Sequence, residues 1–167
     1  MTTEQRPAES EEERLDRNLA ELLGELRVAL PGVQVLFAFL LTVPFSSGFA
    51  GSTRFEHDVY LVTLLATATS TALLLAPSAY HRIEFRQRDR AYIIALANRL
   101  MIAGLGFLTV AMTGAVLLVS HHLFAGGVAA AVSAGTFLAL ALLWYVGPLR
   151  RRAKRRAELR EDVVTGP

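Results

Sequence analysis

The chain has 167 residues, is 53% hydrophobic with a mean hydropathy of +0.39, and carries a net charge of only +2 although it holds 17 Lys and Arg. A soluble domain spreads its charges along the sequence, whereas here they are gathered into a few short stretches. This composition argues against a disordered, collagen-like or ordinary globular protein, and the lack of cysteine leaves no disulfide framework or thiolate metal site.

Residues 1–10 read as a disordered N-terminus. Ser10 is followed three positions later by Glu13, a capping-box spacing, and Leu15, Leu19, Leu22, Leu23, Leu26 and Leu30 then recur at helical intervals. Arg14, Arg17, Glu21 and Glu25 fall largely on the opposite face. The pattern predicts an amphipathic cytoplasmic helix over 11–27, lying on the inner membrane surface or docked on the helix ends, with a coiled-coil contact as the alternative. Eight acids in residues 1–27 are the opposite of a signal-peptide n-region, so the first apolar run is expected to be both signal and anchor.

Four long apolar runs follow, Val28 to Arg54, Val59 to His81, Ala91 to Ser120 and Leu123 to Gly147, with Arg99 the one charge in their interiors. Each approaches or exceeds the roughly 18–20 residues a helix needs to cross a bilayer. The expected fold is therefore all-α, a polytopic membrane four-helix bundle over 28–147, with spans near 28–50, 58–80, 91–120 and 123–147. Of the Lys and Arg outside the spans, one lies on the odd-loop side and fifteen on the even side. The positive-inside rule then puts both termini and the middle loop in the cytoplasm, in the plasma (inner) membrane.

Beyond Gly147-Pro148, where the last span must stop, the tail over 148–167 carries Arg150, Arg151, Arg152, Lys154, Arg155, Arg156 and Arg160. Each basic residue beside an anionic leaflet contributes roughly 1 kcal/mol, so the expected partners are the bilayer and its inner-leaflet anionic headgroups, not nucleic acid.

The stretch LLGELRVALPGVQVLFAFLLTVPF, Leu22 to Phe45, and the later Ala76-Pro-Ser-Ala-Tyr-His-Arg82 are the most distinctive of the chain. On these two motifs, from about residue 12 to the end of the fourth span, the sequence resembles a family of small actinobacterial integral membrane proteins of unassigned function. The resemblance implies a four-helix membrane protein with cytoplasmic ends. Some relatives carry a sodium/proton antiporter label.

Antiport needs an ionisable carboxylate at membrane depth, and all fifteen acids fall outside the four apolar runs. Arg99, beside Asn98 and one to two turns into span three, is expected to snorkel inward or to pair with Glu25, Glu84 or Asp89. Tyr80, His81 and Arg82 follow Pro77 and mark the inner interface, with His81 the one candidate proton sensor there. On the other side Glu56, His57, Asp58, His121 and His122 come from the two external loops. They read as solvated polar groups first, with His57, His121 and His122 as weak metal candidates, because adjacent helical histidines point about 100° apart.

Within the spans, Gly127, Ala131, Gly135 and Ala139 form a small-xxx-small stripe and Thr63, Thr67 and Thr71 a hydroxyl stripe. Both read as surfaces for packing within the chain, or otherwise between copies. Gln34, between Pro31 and Pro44, is expected to bond a neighbour or a freed backbone carbonyl. Arg27 and Gly32 are echoed by Arg99 and Gly104, and Pro77 by Pro148, a faint repeat of about 72 residues that would make two parallel hairpins.

No phosphate-binding, dinucleotide-binding or nucleophilic motif is present, so neither an enzyme nor a cofactor is expected. The reading is a noncatalytic oligomeric scaffold or accessory subunit, with a small oligomeric transporter or channel, cation/proton antiport included, as the alternative.

Overall fold

The computed structural model describes residues 11–83, 90–124, 126–147 and 150. The described residues are all-α: α1 is Glu11–Thr42, α2 Arg54–Ile83, α3 Arg90–Leu123 and α4 Gly126–Ala141, the last continued by a π-helical turn, Leu142–Val146. Leu26–Phe45, Arg54–Tyr80, Ile94–Leu123 and Gly126–Val146 are each long and apolar enough to cross a membrane. Large apolar side chains point outward along them, Val28 being 81% and Phe45 90% exposed, as in a protein whose solvent is hydrocarbon.

The surface helix and the first span, expected as separate elements, are one helix of 32 residues that runs through Pro31. Helix α1 buries Leu26, Val33 and Leu40 at intervals of seven, a narrow seam of the kind two supercoiled helices share. It ends at Thr42, earlier than the apolar run, because Pro44 lacks the N–H that the next helical turn needs. Two 3-10 turns, Val43–Phe45 and Phe49–Gly51, complete the passage to α2.

By their contacts the residues fall into two compact units, the chain changing unit at Ser46–Ser47, Ala66–Thr67 and Phe107–Leu108. The breaks cut across α2 and α3, so the units do not follow the two hairpins of the faint repeat. In the first unit Gly104 of α3 meets α2 closely: a Cβ there would stand 2.9 Å from Leu74 Cδ2 and Cγ. The Ser70 hydroxyl donates to the Gly104 carbonyl at 2.9 Å across this approach, a bond between helices that hydrocarbon cannot replace. In the second unit Gly114 serves the same purpose, since a Cβ there would collide with Thr63 Oγ1 and lie 3.2 Å from Thr63 Cβ.

Helix α4 buries Ala129 and Ser133 one turn apart, and the Ser133 hydroxyl donates back to the Ala129 carbonyl at 2.7 Å. The π turn holds Trp144 and Tyr145, an aromatic pair of the sort that sits at headgroup level. Its looser winding falls just before Pro148, which has no N–H to continue an α-helical ladder.

Candidate functional site

The first turn of α2 is built by a reciprocal cap. Thr53 Oγ1 accepts from the Glu56 backbone N–H at 3.3 Å while Glu56 Oε2 accepts from the Thr53 N–H at 2.7 Å, which satisfies two of the donors a helix start leaves free. The signal is legible as Thr53-Arg54-Phe55-Glu56, a Thr-x-x-Glu box that the reading for apolar runs passed over. Its consequence is a correction: Glu56, His57 and Asp58 are helical residues at the start of α2, and His121 and His122 close α3, so none of the five lies in a loop.

The cap holds Glu56 where its other oxygen, Oε1, lies 3.4 Å from His121 Nδ1, an ion pair whenever the imidazole is protonated. The His121 ring also stands 5.2 Å from the Phe55 ring. His57 leaves in another direction: its Nδ1 is 2.9 Å from the Thr53 carbonyl and its ring lies 4.7 Å from Phe49, which also meets Tyr60 edge-on. His122 is exposed. The five groups therefore converge only as the Glu56–His121 pair, and among the described residues no three His, Asp or Glu side chains are placed to hold one metal ion. The weak metal candidates His57, His121 and His122 do not share a site.

Near the other end of α2, Pro77 is fully buried and Tyr80 half-exposed. His81 and Arg82 belong to the helical backbone, and their side chains lie outside the described residues, as do those of Glu25, Glu84 and Asp89, the acids expected to meet Arg99. Arg99 is exposed five residues past Ile94, about 7–8 Å along the axis, with Asn98 partly covered beside it. Gln34 is a plain correction. It is exposed and makes no hydrogen bond among the described residues, because it stands one position from buried Val33, off the α1 seam.

The hydroxyl stripe of α2 faces inward. Thr63 and Thr67 are buried, and Thr63 and Thr71 donate to the Val59 and Thr67 carbonyls of their own helix at 2.7 and 2.8 Å. The small-residue stripe of α4 does the reverse. Gly127, Ala131, Gly135 and Ala139 are all exposed, and a Cβ built at Gly127 or Gly135 meets nothing within 4 Å. No described residue packs on Gly127 or Gly135, and the stripe lies two positions, about 200°, around the helix from buried Ala129 and Ser133.

Residues 8–148 match a family described as a family of unknown function, DUF6328, and the chain belongs to that family. No curated protein and no solved structure matches it.

Proposed function

We propose that this chain is a noncatalytic membrane scaffold or accessory subunit that assembles with copies of itself along α4. The observation that supports this reading is the open stripe Gly127, Ala131, Gly135 and Ala139. In hydrocarbon no hydrophobic force drives helices together, so association rests on close backbone approach, which small residues four apart permit. A face of this kind left bare gives up that packing energy, and a second α4 recovers it. The face opposite is already engaged through Ala129 and Ser133.

The placement of polar groups supports a noncatalytic role. The carboxylates within the four span ranges are Glu56 and Asp58, both in the first two turns of α2, and Glu56 is committed to its helix cap and to His121. The hydroxyls of buried Thr63 and partly covered Thr71 are bonded to their own helix, which weighs against a polar path through α2 and so against the oligomeric transporter or antiporter. The basic loop and tail support a placement of both termini on the cytoplasmic side of the plasma membrane, against anionic headgroups, and Arg99, exposed and near the start of its span, is within snorkelling reach of the same layer.

The test is the subunit count of the full chain in native lipid particles, measured by mass, beside a Gly127→Leu/Gly135→Leu variant. A defined homo-oligomer that becomes a monomer in the variant is the expected result. A monomeric wild type, or flux of an ion in proteoliposomes that depends on Thr67 or Arg99, removes the scaffold reading.

A further inference from the structure

The second unit holds an open groove of about 400 Å³ that the scaffold reading does not use. Phe55, Val59 and Val62 of α2 form one wall, Val110 and Leu117 of α3 another, and Phe137 of α4 closes it. This volume lies in the range of sites that take a small organic molecule. Its surface is almost wholly apolar, although Asp58, Thr63 and Thr113 are among the residues that border it.

Those three differ in what they have left to offer. The Thr63 hydroxyl donates to the Val59 carbonyl. The Thr113 hydroxyl is buried and has no hydrogen-bond partner, the one such side-chain atom among the described residues. Asp58 is exposed at the α2 end of the groove and forms no ion pair among the described residues, Arg54 one turn earlier included. Its neighbour Glu56 is held by the Thr53 cap and by His121, so Asp58 carries the free negative charge at this groove.

We propose that the groove binds a lipophilic organic cation, its apolar body against Phe55, Val62, Val110 and Phe137 and its positive centre on the Asp58 carboxylate. Charge complementarity selects the occupant. An apolar wall alone would accept a lipid chain or a neutral hydrocarbon, but a carboxylate at the edge of a low-dielectric groove attracts a cation more strongly than it would in water and repels an anion of the same size. A cation whose charge is shielded by apolar groups loses little hydration on entering, which suits a groove with so few hydrogen-bonding partners.

The experiment uses the full chain in nanodiscs of zwitterionic lipid, with tetraphenylphosphonium as probe, tetraphenylborate as its anionic counterpart, and empty nanodiscs subtracted. Saturable binding of the cation is expected, weakened at least about tenfold by Asp58→Asn, retained in Asp58→Glu and lost when Val110→Trp fills the groove. Asp58 and Val110 are exposed, so each variant is checked for an unchanged melting temperature. Uptake no greater than in empty nanodiscs overturns the proposal. So does equal binding by Asp58→Asn, or equal binding of tetraphenylborate, which would show an apolar groove without charge selection. The readout is independent of oligomeric state, so failure here leaves the α4 assembly untouched.

Discussion

Two pairs of glycines, one in α3 and one in α4, occupy opposite environments. At Gly104 and Gly114 a single added methyl would strike Leu74 or Thr63, whereas at Gly127 and Gly135 it would meet nothing within 4 Å. All four sit in helices of membrane length and composition. The α3 glycines are there because α2 comes close to them; the α4 glycines permit an approach that nothing among the described residues makes. A small residue in a membrane helix thus records that something packs closely, without recording whether the partner belongs to the same chain.

Substitution separates the two cases. Gly114→Leu forces side-chain atoms into the space of Thr63, and overpacking of this kind costs about 1–3 kcal/mol, so a clear fall in melting temperature and in folded yield is expected. Gly127→Leu with Gly135→Leu should leave the fold of one chain intact, since each change removes a glycine penalty of roughly 0.5–1 kcal/mol within a helix. Its expected effect is on assembly alone, read as a loss of oligomer at unchanged helicity. If Gly114→Leu melts like the wild type while the α4 variant unfolds, the assignment of the two pairs is reversed.

Smaller effects sharpen the same contrast between engaged and open positions. Thr53→Ala removes the hydroxyl half of the α2 cap and should cost about 0.5–2 kcal/mol, with fraying confined to the start of α2 by hydrogen exchange. Gln34→Leu, at an exposed position without a hydrogen bond among the described residues, should change stability by no more than about 0.5 kcal/mol or raise it. A large loss at Gln34 would mean that its amide is satisfied by a partner, which would add a second interface on α1.

Helix number and the approximate limits of the spans were legible because bilayer crossing demands long apolar runs, and four of them stand out by length. The end of α1 and the start of α2 were not, because apolar content continues past Pro44 while local chemistry, a proline and a Thr-x-x-Glu box, sets the true limits. The convergence of Glu56 with His121 was half legible: both residue types were apparent, but which of two adjacent histidines turns inward depends on helix rotation, and that follows from packing at Gly114. The α4 stripe was legible in the sequence, but the direction it faces was not, since its period is the same whether it faces inward or out. The groove at Asp58 was not legible at all, because its wall combines α2, α3 and α4 residues far apart in sequence.

The most direct measurement of the central claim is the mass of the complex in native lipid particles for the wild type and for Gly127→Leu/Gly135→Leu, prepared side by side. The account predicts a defined homo-oligomer for the first and a folded monomer for the second. A wild-type monomer, or an oligomer that survives both substitutions, would contradict it.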